Sequence, residues 1–234
     1  MAKTADAKTR QQALYLQIRA RLLRGEYAPG EPIRTEHLCS TYGVSVSLAR
    51  EVLTRLAEQR LVSAEPNKGF HVAPLTAESI ADLCLVRSEL EAIAIGLSIK
   101  RGTAAWEASV VAAHHELAIT PRPSIAEDPE GNERWAMAHS RFHAACAAGC
   151  GSPRLCAVRQ QFFDEAEVVR QYSRLYGAGR DVEAEHAAIT QAIIARDAEL
   201  AQSLIRSHVE LTAQATLAAF NQSAGETAAA GADR

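Results

Sequence analysis

The stretch TYGVSVSLAREVLTRL, residues 41–56, decides the fold of the first third of this chain. Its apolar residues recur every three or four positions, which is the spacing of one face of an α-helix. They are Leu48, Val52, Leu53 and Leu56. Gly43 is a residue type that ends helices, and Ser45 is one that caps their N-termini. A short helix, a glycine-containing turn and a second helix predict a helix-turn-helix.

The flanking residues extend this motif. Upstream, Leu14, Ile18 and Leu22 have helical spacing. Downstream, two short β-prone runs, 61–64 and 70–73, surround a turn rich in Pro, Asn and Gly, which predicts a hairpin. Residues 1–73 are therefore predicted to form a winged helix-turn-helix, with the hairpin as the wing.

The charge distribution favours a polyanionic partner for this domain. Residues 1–72 contain 11 Lys and Arg against 7 Asp and Glu, a net charge of +4, whereas residues 73–234 contain 14 against 21, a net charge of −7. A basic helix-turn-helix predicts binding to double-stranded DNA. The candidate contacts are Ser47, Arg50, Arg55, Lys68 and Gly69. The alternative for each arginine is a solvated surface residue.

The rest of the chain is predicted to be an all-α bundle, so the fold class is mainly α. Aromatic residues make up only 5% of the sequence, and Ala, Leu and Glu dominate after residue 75. We expect a linker at 74–78, an effector- and metal-binding domain at 79–222 and a disordered tail at 223–234. Within the bundle, the Pro-rich and acidic stretch from Thr120 to Gly131 is predicted to be a surface loop.

Two further features bear on the compartment. The sequence has neither an apolar run of 18 residues nor the apolar core of a signal peptide, which favours a cytoplasmic protein. Its five cysteines form no C-x-x-C spacing and suit a reducing compartment. A thiolate metal site near Cys150 is the alternative to structural thiols.

Four of the eight histidines have the spacing of a metal site. His139 and His143 lie one turn apart on one helix face, and the 22-position separation of His186 and His208 returns two antiparallel helices to a common depth. Four imidazoles favour Zn²⁺, Ni²⁺ or Co²⁺ over Mg²⁺ or Ca²⁺. His114 and His115 do not fit this pattern and are predicted to be surface residues.

Residues 10–73 resemble the DNA-binding domain of GntR-family transcription regulators. The resemblance rests on Pro29-Gly30-Glu31, Tyr42-Gly-Val-Ser45, Leu48-Ala-Arg-Glu-Val-Leu53 and Lys68-Gly-Phe70. Many members carry an arginine where this chain has Val46, so the resemblance implies either that Ser47 and Arg50 provide more of the DNA contact or that the operator differs.

The second part resembles the FCD type of effector domain found in the FadR branch of that family. Asp82-Leu-Cys-Leu-Val-Arg87-Ser-Glu-Leu-Glu91, Phe142-His143, Glu185-His186 and His208 match its motifs. In metal-binding members the ligands are an Asp, which is His139 here, and the three histidines at 143, 186 and 208. The change at His139 either substitutes an imidazole for the carboxylate or weakens the site. Gly149-Cys150-Gly-Ser152 and Arg170 resemble the sub-branch of the carbon-starvation-induced regulator, whose members respond to small dicarboxylates such as glutarate.

The leading hypothesis is a homodimeric regulator, a repressor, that leaves its DNA operator when a small carboxylate binds at the metal. Arg87 and Arg170 are the candidates for holding a second carboxylate; for Arg87 a structural ion pair with Glu91 is the alternative. The rival hypothesis is a metal-dependent hydrolase, with Glu185 as the neighbouring carboxylate. A third is a purely structural metal.

Overall fold

The computed structural model describes the backbone of residues 2–123, 128–176 and 180–232, and side chains within 9–123, 128, 130–170 and 180–221. These residues form nine helices and three short strands, so the mainly α fold is confirmed. The chain divides into two compact units, residues 1–76 with 167–171 and residues 77–166 with 172–234.

The first unit is a winged helix-turn-helix. Its elements in chain order are α1 (Ala2–Leu23), β1 (Pro32–Ile33), α2 (Thr35–Tyr42), α3 (Val46–Glu58), β2 (Val62–Glu65) and β3 (Gly69–Val72). The strands form one antiparallel sheet in the order β1-β3-β2, with Ala64 opposite Phe70. Strand β1 was not predicted, because two residues are too few to show an alternating pattern.

Local chemistry fixes the turn before α3. Gly43 has φ 63°, a left-handed conformation that glycine adopts without steric cost. The Ser45 side chain accepts a hydrogen bond from the Leu48 amide at 3.3 Å, as an N-cap should. The apolar face of α3 then packs against α1 and α2 through fully buried side chains, each contributing about 1.5–3 kcal/mol by leaving water. They include Ile18, Leu22, Leu38, Val52, Leu53 and Leu56.

The second unit is a bundle of six helices. They are α4 (Ala77–Arg101), α5 (Ala104–Ile119), α6 (Pro129–Ala148), α7 (Pro153–Tyr176), α8 (Val182–Ile194) and α9 (Ala198–Ala232). The side chains of Thr103, Asp128 and Asp181 cap the N-termini of α5, α6 and α8. Within the described part of the chain, no helix combines the length and the apolar composition needed to cross a membrane.

Three boundaries differ from the sequence-based expectation. Helix α4 begins at Ala77, inside the predicted linker 74–78. Helix α6 begins at Pro129, within a stretch that we predicted to be loop, because Asp128 caps it and proline is tolerated at the first helical position. Helix α9 continues to Ala232, past residue 222. Side chains beyond 221 lie outside the described residues, so the disorder of the tail stays a prediction.

The bundle interior contains an apolar cluster and, beside it, a group of buried polar side chains. Ile95, Phe142, Ile189, Ile193 and Ile205 are almost completely buried in one hydrophobic cluster. Next to this cluster the helices bury histidine, arginine and glutamate side chains. Buried polar groups are costly unless they are paired or bind a ligand, so this group of polar side chains identifies the candidate site.

Candidate metal centre and DNA-binding face

Three helices bring the four predicted histidines together. His139 and His143 come from α6, His186 from α8 and His208 from α9. All four are buried, and one ring nitrogen of each lies within 4.8 Å of those of the others. At a Zn–N distance of about 2.0–2.1 Å, two ligands on opposite sides of one ion are about 4.2 Å apart. The separations of up to 4.8 Å exceed that span by about 0.6 Å, so small rotations of the rings are enough for the four nitrogens to share one ion.

The four rings contact one another directly, and His143 meets both His139 and His186 edge to face. The His139 and His143 ring centroids are 4.6 Å apart, and their Nε2 atoms are 3.1 Å apart. The His143 Nδ1 and His186 Nε2 atoms are fully buried and have no hydrogen-bond partner among the described residues. A set of nitrogen donors with unsatisfied buried atoms fits a borderline transition metal better than a purely hydrophobic interior.

The buried environment keeps three of these imidazoles, those of His143, His186 and His208, neutral near pH 7. Burial lowers the pKa of His143 and of His186 well below the usual value, and neighbouring positive charge adds to the effect. Burial also lowers the pKa of His208 to about 4, although a hydrogen bond to Glu185 opposes it. Neutral imidazole is the form that has a lone pair for a metal.

Glu185 faces His208 rather than the centre of the cluster. Its Oε2 lies 2.7 Å from His208 Nδ1, and Arg180 Nε donates to its Oε1 at 2.6 Å. Burial raises the pKa of Glu185, but the hydrogen bonds from His208 and Arg180 outweigh it and lower the pKa to about 2. So weak a base is poorly suited to take a proton from water, as the hydrolase hypothesis requires.

A second buried ion-pair network lies beside the cluster. The Glu91 carboxylate accepts a hydrogen bond from Arg159 Nη1 at 2.6 Å and lies 3.9 Å from Arg87 Nε. Both guanidiniums lie over the Phe163 ring, with Arg87 Cζ 4.8 Å from its centroid. That ring is 5.3 Å from the His143 ring. Two buried cations therefore share one carboxylate close to the histidines.

Arg159 was not predicted as a site residue. It follows Cys156 by three residues and precedes Phe163 by four, so it occupies the same helix face as they do. A charged residue on an apolar helix face was the available signal. Arg170, the other predicted effector contact, pairs with Glu167 at 2.7 Å, and the contacts of the chain place both residues in the first unit.

A cavity of about 350 Å³ reaches the cluster from the side of α5 and α8. His186 lines its inner end, together with Trp135, which stacks on His139 at a centroid distance of 4.8 Å. Arg122 Cζ also lies over the Trp135 ring, 4.8 Å from its centroid. His114 also lines this cavity and its Nε2 is buried, so the prediction of a surface residue was wrong for His114. His115 is exposed, as predicted.

The candidate DNA contacts of the first unit fall into two groups. Ser47 and Arg50 are exposed on the first two turns of α3, next to Val46, which is 54% exposed. Arg55 instead stacks on Tyr15, with Cζ 3.8 Å from the ring centroid, and donates to Gln12 at 2.8 Å. This contact supports the packing of α3 on α1.

The wing supplies the remaining candidates. Lys68 is 73% exposed at the hairpin turn and pairs with Glu65 at 2.8 Å. An ion pair this exposed contributes little to stability, so the lysine is available to exchange carboxylate for phosphate. Gly69 follows it with φ 85°, in the left-handed region that a tight turn requires.

This combination of a basic winged helix-turn-helix and a helical bundle with a buried polar centre defines a class of protein, the DNA-binding transcription regulators with a second, helical domain. Comparison with known proteins supports it. Residues 10–72 match the bacterial regulatory proteins of the gntR family, and residues 82–211 match the FCD domain. The chain therefore belongs to the GntR family of transcription regulators with an FCD domain.

Individual relatives agree with this assignment. The chain is 33% identical over 193 residues to the HTH-type transcriptional repressor GlaR of Escherichia coli strain K12, covering 80% of this chain and 87% of that protein. It is 30% identical over 207 residues to the HTH-type transcriptional regulator BphR of Paraburkholderia xenovorans strain LB400, covering 88% and 84%. The protein is a DNA-binding transcription regulator and not an enzyme.

Solved structures show the same fold at lower identity. E. coli McbR/YncC superposes with a TM-score of 0.72 at 21% identity, covering 91% of this chain and 98% of that one. A GntR transcriptional regulator from Rhodococcus sp. RHA1 gives a TM-score of 0.70 at 23% identity, covering 90% and 98%. At these identities the likeness concerns the fold alone.

Proposed function

We propose that this protein is a homodimeric repressor that leaves its operator when a small carboxylate binds at a metal held by His139, His143, His186 and His208. The observation on which the proposal depends is the convergence of four buried ring nitrogens within 4.8 Å beside a cavity. A bound divalent metal, with Zn²⁺ favoured over Ni²⁺ and Co²⁺, would supply an open coordination position for the effector carboxylate.

The charge of the surrounding residues favours an anionic effector. Arg87, Glu91 and Arg159 are buried and together have a net charge of +1. Buried guanidinium groups close to the histidines favour a ligand of negative charge. A dicarboxylate has two such charges, so one carboxylate can face the histidines while Arg87 forms a charge-assisted hydrogen bond with the other. Arg170 stays a candidate on the resemblance alone.

The DNA-binding half of the proposal assigns Ser47 and Arg50 to the major groove, and Arg55, Lys68 and Gly69 to the flanking backbone. Two copies of α3 related by a two-fold axis would read two half-sites of one operator. The protein has one conformer that binds DNA and one that does not. Release requires that the effector have the higher affinity for the conformer that does not bind DNA. We therefore expect effector and operator to weaken each other's binding.

The proposal is tested by thermal unfolding of the Zn²⁺-loaded protein with glutarate, with the monocarboxylate butyrate for comparison. We expect glutarate to raise the melting temperature in a concentration-dependent manner, because a ligand that binds only the folded state stabilises it. Butyrate should act only at much higher concentration. A structural metal would give no shift with either compound, and that result would contradict the sensor function.

Arg87→Gln should weaken glutarate binding to the Zn²⁺-loaded protein by about tenfold or more. A hydrogen bond to a charged group contributes about 1.5–3 kcal/mol, and Gln is a shorter polar side chain without the charge. The measurement is isothermal titration with glutarate. Arg206→Gln is the matched control, because Arg206 pairs with Glu89 on the exposed side of α4 and α9. Equal affinities of both variants for glutarate would assign Arg87 to the structural ion pair only.

His139→Asp should change the metal preference of the site. This position is the one at which the FCD resemblance implies Asp, and a carboxylate oxygen is a harder ligand than imidazole nitrogen. We expect the affinity ratio of Mn²⁺ to Zn²⁺ to rise by about tenfold, measured by competition for a fluorescent chelator. The control is His115→Asp, an identical change at an exposed position. An unchanged ratio would remove His139 from the ligand set.

A further inference from the structure

The four histidines differ in what lies behind them. His208 contacts the carboxylate of Glu185, and that carboxylate in turn accepts hydrogen bonds from the guanidinium of Arg180. Glu185 Oε2 lies 2.7 Å from His208 Nδ1, and Arg180 donates to both carboxylate oxygens. These three side chains connect the residue before Asp181, the N-cap of α8, with α8 and with α9.

The proton between His208 and Glu185 can be placed from these contacts. An ionised carboxylate only accepts hydrogen bonds, so a 2.7 Å contact requires that His208 Nδ1 be the donor. Arg180 Nη2 also lies 3.3 Å from Nδ1, which would suit an Nδ1 that accepts. However, both hydrogens of Nη2 are engaged, by Glu185 Oε2 and by the His208 carbonyl at 2.7 Å.

Placing the proton on Nδ1 leaves the lone pair of a neutral His208 on Nε2. Since Nδ1 is occupied by Glu185, Nε2 is the atom of His208 that is free to act as a ligand in the four-histidine group. A carboxylate behind a ligating imidazole both fixes the ring orientation and increases the basicity of the ligand atom.

We propose that Glu185, held in place by Arg180, is a positioning residue that fixes His208 in the tautomer and orientation in which it binds the metal. This inference rests on the proposed function, because it assigns Glu185 a role toward the same metal. Glu185 neither touches the effector nor acts as a base. It acts through His208, and its effect is on the affinity of the site for the ion.

Arg180 has a second set of contacts. They make it possible to distinguish a role of this network in the packing of the helices from a role in metal binding. Its Nη1 donates to Thr212 Oγ1 at 2.7 Å, and its Nη2 donates to the His208 carbonyl. Arg180, which precedes α8, therefore connects this part of the chain with α9 independently of Glu185. If the network were merely structural, loss of Arg180 would matter at least as much for the metal as loss of the Glu185 charge.

The experiment compares Glu185→Gln, Arg180→Gln and Glu183→Gln in the full-length protein. Glu183 is a matched control, because it is an exposed carboxylate in the same first turn of α8. Two quantities are measured for each variant. One is the Zn²⁺ dissociation constant by chelator competition, and the other is the midpoint of urea unfolding of the metal-free protein.

We expect Glu185→Gln to raise the Zn²⁺ dissociation constant by about 10- to 100-fold, the usual effect of losing such a partner. Arg180→Gln should lower the urea midpoint more than Glu185→Gln does, yet raise the dissociation constant less. Glu183→Gln should leave both quantities unchanged. In the wild type, two-bond ¹H–¹⁵N correlations of the metal-free protein should show His208 protonated at Nδ1.

Two results would overturn the inference in distinguishable ways. If the wild type binds Zn²⁺ and Glu185→Gln binds it equally tightly, or if His208 is protonated at Nε2, the positioning role is wrong and the proposed metal site stands. If the wild type takes up no Zn²⁺ at all, the proposed function is wrong and this inference with it.

Discussion

His143→Ala is expected to abolish tight metal binding. Structural Zn²⁺ sites of four ligands bind with about 10–16 kcal/mol, so one ligand accounts for about 2.5–4 kcal/mol, or roughly 100- to 1000-fold in affinity. His143 lies between the other rings, with centroids 4.6 Å from His139 and 5.2 Å from His208. The measurement is metal content after dialysis, together with the visible absorption of the Co²⁺-loaded protein.

The control for this variant is His115→Ala, which removes the same side chain from the exposed face of α5. Because His143 is completely buried, its truncation also leaves a cavity, which destabilises the bundle whether or not a metal binds. Circular dichroism of the metal-free variant measures that effect separately. His186→Ala serves as a second variant if His143→Ala does not fold. Full metal content in folded His143→Ala and His186→Ala would contradict the ligand assignment.

The histidine cluster could be predicted because its signal lies in spacing within and between helices. Four residues along α6 return to the same face, and 22 residues across the α8–α9 hairpin return to the same depth. The winged helix-turn-helix was predictable for a similar reason, since caps and turns at Gly43 and Ser45 are written in local residue types. Such features can be predicted without knowing which side chains, distant in sequence, contact each other.

The parts that were not predicted depend on contacts between helices far apart in sequence. Arg159 and Glu91 are 68 positions apart, and Arg55 meets Gln12 across 43. The pairing of Glu185 with His208 was not predicted. Glu185 is adjacent in sequence to His186, but adjacent side chains point about 100° apart on a helix, so the sequence does not show which residue Glu185 contacts. Glu185 was thus considered only in relation to His186. The rotation of α8 against α9, which turns Glu185 toward His208, has no signature in the sequence.

Arg50→Ala is expected to weaken binding to specific DNA by about 10- to 100-fold while changing binding to unrelated DNA much less. Arg50 is exposed on the second turn of α3, where the N-terminal part of a recognition helix meets base edges. One good contact between arginine and a base is worth about 1–3 kcal/mol of discrimination. The probe is a fragment that the wild-type protein selects from genomic DNA, and binding is measured by fluorescence anisotropy.

The control is Arg24→Ala, which removes one positive charge from the end of α1, where Arg24 pairs with Glu26. Salt titrations distinguish an arginine that binds phosphate from one that reads a base, because removing the charge opposite one phosphate reduces the slope of log affinity against log salt by about 0.9. If Arg50 reads a base, its replacement lowers specific affinity with a nearly unchanged slope. If it binds phosphate, the slope falls and both kinds of DNA are affected alike. Equal affinity of Arg50→Ala and the wild type for the selected fragment would remove Arg50 from the interface, and the exposed Val46 and Ser47 would then be the first residues of α3 to test.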